Sequence, residues 1–187
     1  THTVGTPTNS KKCTISCWIK RSQIASGQHT IFGAYPDGSN NDSLYLSSGS
    51  NVDKLGFYGA NSGSQSFYIL TNRLFRDVAA WYHIVVAVDT TQASSGNRVK
   101  IYLNGSQITA FGTETQPSQN YDSYVNNTVQ HAIGASKLAS NHYFDGYLAE
   151  FHSIDGQALT SASFGETNLD TNQWQAIKYT GSYGTNG

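Results

Sequence analysis

WYHIVVAVDTTQASSGNRVKIYLNG, residues 81–105, is the stretch on which the fold turns. Tyr82, Ile84, Val86 and Val88 alternate with Trp81, His83, Val85, Ala87 and Asp89. After a polar loop, Val99, Ile101 and Leu103 alternate with Arg98, Lys100, Tyr102 and Asn104. Alternation with a period of two puts one set of side chains on a buried face and the other on water or a second layer. The run ends on Asn104-Gly105, the pair favoured in tight hairpin turns because both central residues take φ > 0. The centre of the chain therefore reads as two long antiparallel strands entering a third.

Outward from this hairpin, further strands are expected near residues 13–20, 29–35, 43–48, 54–59, 66–71, 107–111, 129–135 and 143–154. Turn chemistry separates them at Pro36-Asp37-Gly38, Ser47-Ser48-Gly49, Asn61-Ser62-Gly63, Ser95-Gly96-Asn97 and Asp155-Gly156. Many strands at this spacing mean an all-β sandwich or barrel rather than βαβ units. Helix is expected only as one turn over Arg76–Ala80 and a short piece from Leu159 to Phe164, with Thr160 or Ser161 at its start. The chain divides into a polar N-terminal segment (1–12), one domain (13–179) and a Gly-rich tail (180–187) not expected to pack alone.

The 187 residues suit a single large all-β domain. Only 12% are charged, and 11 basic against 12 acidic residues leave a net charge of −1. Nucleic-acid binding needs clustered cations to displace counterions, so that class is excluded. Lys11, Lys12, Lys20 and Arg21 form the one basic grouping and read as a solvated strand edge. Ser, Thr, Asn, Gln and Gly supply the surface polarity, a composition shared with extracellular and virion β-proteins.

Cys13 and Cys17 fall on one face of the first long strand with Ile15 and Ile19. Four residues of strand span roughly 13 Å, whereas a disulfide needs Cα atoms within about 7 Å. They read as unpaired core thiols, consistent with folding in a reducing cytosol, and one close pair without a partner pair makes no zinc site. No run of 18 apolar residues is present, so no membrane span is expected. The sequence starts at Thr1 without a signal peptide and holds no methionine, which reads as a processed chain or part of a longer one.

Two segments resemble a known superfamily. WYHIVVAVD with NRVKIYLNGSQIT is similar to the central hairpin of laminin-G-like and pentraxin-like domains. YFDGYLAEFHSIDGQALTSASFGE resembles their last core strand and trailing turn through its F-x-G-x-L-x-E pattern and L-T step. The resemblance implies a concanavalin A-like jelly-roll sandwich of two antiparallel sheets. CTISCWIKRS, FYILTNRLFRDVAAWYHIVVAVDTTQ, PSQNYDSYVNNTVQHAIG and FDGYLAEFHSIDGQAL through KYTGSYGTNG are similar to a subgroup found in structural and tail-associated proteins of marine bacteriophages. In that subgroup further strands flank the region matched here, which implies a segment of a longer protein or sheet edges completed by neighbouring chains.

Retaining glucanases on this fold carry acidic residues two apart on a strand, with carboxylates about 5 Å apart. No such run occurs here. Regular strand phase groups Glu150 with Leu148, His152 and Ile154 and puts Asp145 on the opposite face, so Glu150 reads as a structural acceptor. His83, His131 and His152 read as partly buried strand residues. Calcium is the candidate cofactor, because relatives on this fold bind it at a loop rim through Asp and Asn oxygens and carbonyls. YPDGSNNDS offers Asp37, Asn40, Asn41 and Asp42, with Asp37, Asn41 and Asp42 as the candidate ligands; QNYDSYVNN and Asp89 are further oxygen sources, although hydrogen-bonded turn residues are the plainer reading.

A sugar needs a flat aromatic for its C–H face and fixed polar groups for its hydroxyls. Two loops offer both: Tyr35 with Asp37, Asn40, Asn41 and Asp42, and Tyr121, Asp122, Tyr124, Asn126 and Asn127, with Asn141, His142 and Tyr143 as neighbours. Glycosylation sequons at Asn41, Asn104 and Asn126 would stay unmodified in a phage product made in bacteria. The sequence thus reads as a non-enzymatic recognition or adhesion domain on a bacteriophage fibre or appendage, folded in the host cytoplasm and displayed on the virion. Its partners would be a cell-surface glycan, other virion proteins, or both, within an oligomer or larger assembly. The alternatives are a structural capsid-decoration or fibre-assembly module and a degenerate glucanase.

Overall fold

The computed structural model describes residues 2–24, 27–138 and 142–187. It is an all-β sandwich. The strands in chain order are β1 (His2–Thr3), β2 (Lys12–Arg21), β3 (His29–Ala34), β4 (Asn41–Leu46), β5 (Lys54–Asn61), β6 (Ser64–Leu74), β7 (Tyr82–Asp89), β8 (Val99–Leu103), β9 (Ser106–Gln107), β10 (Phe111–Thr115), β11 (Gln130–Ile133), β12 (Gly146–Asp155), β13 (Gly165–Thr167) and β14 (Trp174–Ala176). A seven-stranded sheet runs β1-β11-β3-β4-β5-β6-β10 and faces a five-stranded sheet, β12-β2-β7-β8-β9, every pairing antiparallel. The hairpin expected at Asn104-Gly105 forms, with φ of 46° and 86° joining β8 to β9. Ser62-Gly63 makes a second turn of the same kind, pairing Asn61 with Ser64.

The alternation read at residues 82–88 holds, but both of its faces are covered. Tyr82, Ile84, Val86 and Val88 join Cys13, Ile15, Cys17 and Ile19 of β2 in the main core between the sheets, against Leu44, Phe57 and Ile69. Burial pushes the Cys17 thiol up to about 12 and the Cys13 thiol higher still, which makes both inert core groups. Val85 and Ala87 point outward into a second, smaller core with Tyr102, Ile154, Phe164 and Tyr179. Residues after β12 build that cover: a short 3₁₀ turn over Ser161–Ser163 with Thr160 before it, then the β13–β14 ribbon. The turn expected at Arg76–Ala80 is not helical; Asp77 Oδ1 instead accepts from the amides of Ala79 and Ala80.

The ribbon also brings Trp174 onto the sheet. Its indole N–H donates to His83 Nδ1 at 2.9 Å, and the rings stack at 6.0 Å and 20°. Trp18, the cross-strand neighbour of His83, stacks on it at 5.0 Å and 15°. With Nδ1 accepting, the network assigns the proton to Nε2, 2.9 Å from Ser16 Oγ. Burial pushes this imidazole down to about 4.

One expectation is corrected here. The basic grouping is no solvated edge: Arg21 is buried at 2% exposure, with Nη1 2.6 Å from Asp53 Oδ1 and 2.7 Å from the Phe75 carbonyl. Burial alone raises the Asp53 carboxyl, but Arg21 and Arg76 outweigh it and hold the group below its ordinary range. The two polar ends, set apart from the domain in the sequence reading, are hydrogen-bonded to it at Asp155. Its Oδ2 accepts from the amides of Thr8 at 2.6 Å and Thr185 at 3.1 Å, and the Asp155 amide donates to the Tyr183 carbonyl. A buried carboxylate collects amides from any segment that can reach it, and this one sits where β12 ends, within reach of both.

Candidate functional site

The two loops singled out by sequence meet at Asp42. This second residue of β4 is fully buried and accepts from Tyr121 Oη at 3.1 Å, Ser123 Oγ at 2.7 Å and the Tyr124 amide at 2.7 Å. Burial pushes its carboxyl up to about 6 against the pull of those donors. Asp37 caps its own turn, accepting from the Ser39 amide and from Asn40 Nδ2 on both oxygens. Asn40 Oδ1 in turn accepts from Tyr124 Oη and the Ser62 amide. Asp122 is exposed and holds Ser10 and Lys11. Asn126 is buried, its Nδ2 donating to Asp155 Oδ1 at 2.7 Å and to the carbonyls of Asn9 and Lys12.

Asp37, Asn40, Asp42, Tyr121, Tyr124 and Asn126 therefore form a tie between loops, with their polar side-chain atoms engaged. Asn41 is buried in β4, and Tyr35 is buried with its ring laid over Gly33, where a Cβ would stand 2.3 Å from the hydroxyl. His142 is half-buried and offers its carbonyl to the Ser136 amide, Tyr143 is exposed, and Asn141 lies outside the described residues. Asp37 and Asp42, two of the three candidate calcium ligands, both point their oxygens at donors. Among the described residues, no three His, Cys, Asp or Glu side chains gather as a metal set.

A cleft of about 540 Å³ opens where the edges of the two sheets part. Phe32, His131 and Ile133 wall it on one side and Phe151 and Ser153 on the other, with both chain ends at its mouth. Its aromatic rings pack together, Phe32 lying 5.7 Å from His131 and 5.4 Å from Phe151. Several of its polar side chains are committed elsewhere: both His131 nitrogens lie 2.8 Å from carbonyls, Asn126 Nδ2 donates to Asp155, and Asn186 Nδ2 donates to the Gly5 carbonyl. With aromatic walls and these groups taken, it is a poor match to a polyhydroxylated ligand.

A second open surface is the uncovered half of the five-stranded sheet. Its outer row places Tyr147 opposite Lys20 and Ala149 opposite Trp18, with Trp81 next to β7. Trp18, Trp81, Ala149, Glu150 and Ala176 line a shallow hollow of about 270 Å³. Trp81 is 40% exposed and Tyr147 62%. Glu150 reaches this face only because β12 is irregular. Ala149 pairs with Trp18 and His152 with Ser16, so Glu150 and Phe151 together stand opposite Cys17. This is a β-bulge, which re-aims a side chain. Phe151 turns inward against the main core, while Glu150, at φ 46°, turns outward beside the tryptophans.

Strand phase therefore breaks at the bulge. Glu150 is an exposed carboxylate whose ionic neighbour is His152 Nε2 at 3.6 Å, not the structural acceptor expected from a regular strand. Asp145 accepts from Gln23 Nε2. The Trp18 indole N–H is buried with no hydrogen-bond partner among the described residues. Sequence reasoning missed this site because its members come from β2, the start of β7, β12 and β14. The one legible signal was that the chain has three tryptophans, and all three lie on this face.

A family model described as the concanavalin A-like lectin/glucanases superfamily, of the laminin G type, matches residues 1–164. The chain belongs to the concanavalin A-like lectin/glucanase superfamily. Among solved structures, this laminin-G-like chain is similar to domain 4 of an extracellular arabinanase from Geobacillus stearothermophilus, in complex with arabinotriose. The TM-score is 0.57 and the identity 18%, covering 81% of this chain and 64% of that one. It is also similar to a SAP-like pentraxin from Limulus polyphemus (TM-score 0.56, 20% identity, 86% of this chain and 69% of that one). A third is a Ruminococcus gnavus sialidase carbohydrate-binding domain bound to α2,3-sialyllactose (TM-score 0.56, 12% identity, 81% and 79%). These likenesses show the shared lectin-type sandwich. No match is found among curated protein sequences.

Proposed function

We propose that this chain is a non-enzymatic recognition domain that binds glycan, displayed on a bacteriophage fibre or similar virion appendage. The observation that carries the binding reading is the hollow at Trp81, Trp18 and Glu150: an open aromatic plane beside an unburied carboxylate, on a sheet whose other half is sealed. Sugars are held by C–H stacking on aromatic faces together with a few oriented polar groups. The sialyllactose-bound and arabinotriose-bound domains of the same fold support the ligand class. The phage-like phrases and the weakly charged polar surface support the virion setting.

A glycan array with the purified chain, run with and without calcium, tests this. Saturable binding to at least one bacterial surface polysaccharide, with no release of reducing sugar, is the expected result. Binding confined to other virion proteins would replace it with the fibre-assembly reading. Reducing sugar that disappears in Glu150→Gln would replace it with the glucanase reading.

A further inference from the structure

Resting on that reading, we infer that the hollow selects neutral pyranose chains and rejects acidic glycans, with Glu150 as the discriminating group and Tyr147 as a second stacking plane. Glu150 is the single ionic side chain lining the hollow. Its backbone is in the left-handed region, a conformation that costs a non-glycine residue energy and persists where surrounding structure enforces it. The bulge that enforces it delivers the carboxylate to the tryptophan face; in an unbroken strand Glu150 would point into the sandwich.

A carboxylate accepts hydrogen bonds from hydroxyl pairs and donates none at neutral pH. A neutral sugar lying on Trp81 would present such hydroxyls. On the ring stacked at Trp81, inside the hollow that Glu150 lines, a sialic acid or uronic acid would bring a second negative charge beside the carboxylate, and like charges that close are unfavourable. The stacking plane favours pyranoses with equatorial hydroxyls, whose ring faces are unbroken C–H surface.

The ligand would extend beyond one ring. Tyr147 lies on β12 and Trp81 immediately before β7, the strand beyond β2, so two sheet spacings, about 10 Å, separate their backbones. Lys20 stands between them on β2 and makes no ion pair among the described residues. Its ammonium can donate to a hydroxyl or glycosidic oxygen of a chain bridging the two planes. Trp18 stacks on His83, which in turn stacks on Trp174, so its ring is held in place before any ligand arrives.

The test is titration of the full chain, followed by tryptophan fluorescence and calorimetry, with cellotetraose, chitotetraose and mannotetraose as neutral probes. Sialyllactose and a galacturonic acid tetramer serve as acidic ones. At least one neutral tetramer is expected to bind with a blue shift, and the acidic probes at least tenfold more weakly. Trp81→Ala should weaken binding about tenfold or more and Trp81→Phe should restore part of it. Tyr147→Ala should weaken tetramers but not the matching disaccharides. Glu150→Gln should narrow the gap between neutral and acidic probes.

Because Trp81 and Tyr147 are exposed, unchanged melting curves will show that these variants fold. Acidic probes binding as tightly as neutral ones, with Trp81→Ala still disruptive, would overturn the class while leaving the site. Neutral binding indifferent to Trp81→Ala would overturn the site while leaving glycan recognition. No binding of any probe alongside a silent array would overturn both.

Discussion

At the scale of single residues, the instructive case is Asp42. The cluster of Asp and Asn in YPDGSNNDS reads as an oxygen-rich ligand loop, and the Tyr121–Asn127 segment as a second. Both loops were legible as polar and aromatic, but a one-dimensional pattern does not show that Asp42 is buried and used to fasten one loop to the other. Asp42→Ala would leave two hydroxyls and an amide facing each other in a buried space. About 3 kcal/mol of unfolding free energy should be lost in urea titration.

The pH dependence of Asp42→Asn makes a finer prediction. In the folded chain Asp42 keeps its proton up to about pH 6, while the unfolded chain releases it near pH 4. The folded state binds more protons between those values, so this group's contribution falls as pH rises across the window. His83, pushed down to about 4, has the opposite sign: its contribution is lost as pH falls from about 6.5. The two oppose each other in the wild type. Asp42→Asn leaves His83 uncompensated, so the variant should lose about 3 kcal/mol more than wild type between pH 6.5 and 4. Parallel stability curves for the two proteins would contradict this.

At the scale of elements, periodicity was a reliable guide and interruptions of it were not. The strands from β2 to β8 and the Asn104-Gly105 turn follow from alternation and turn chemistry alone. The bulge in β12 leaves no mark in YFDGYLAEFHSID, so Glu150 was assigned to the wrong face. The second core was equally hidden, since Val85 and Ala87 look like the wet side of a strand until Phe164 and Tyr179 arrive from far later in the chain. Gly105 shows both kinds of information at one position. Its φ of 86° is the turn requirement read from sequence, while the Trp174 ring, 2.6 Å from where a Cβ would sit, is visible only in three dimensions. Gly105→Ala should therefore cost about 2 kcal/mol or more, above the strain of the turn alone. A shift in tryptophan emission should accompany it as Trp174 is displaced from His83.

At the scale of the whole molecule, Asp155 joins regions far apart in the chain. Its carboxylate holds Thr8, Asn126 and Thr185, and so gathers the head, the loop before β11 and the tail at the end of β12. A Gly-rich tail carries no apolar pattern, and its contacts with Asp155 are made by backbone amides, so nothing in the sequence marks this tie. Asp155→Ala should release both ends together. Hydrogen exchange at the Thr8 and Thr185 amides is expected to accelerate by at least tenfold, with amides of β7 in the core unaffected. Faster exchange at one end alone would show that the two are held independently.

The hydroxyls of Thr8 and Thr185 lie 3.0 Å apart, so the polypeptide enters and leaves the sandwich through one doorway. Such a body, if joined to another protein at both ends, would hang from it like a pendant on paired threads. It can be spliced into a single surface loop of a host protein without prising that host's termini apart. The tryptophan face on the five-stranded sheet would then be aimed by how stiff those two threads are.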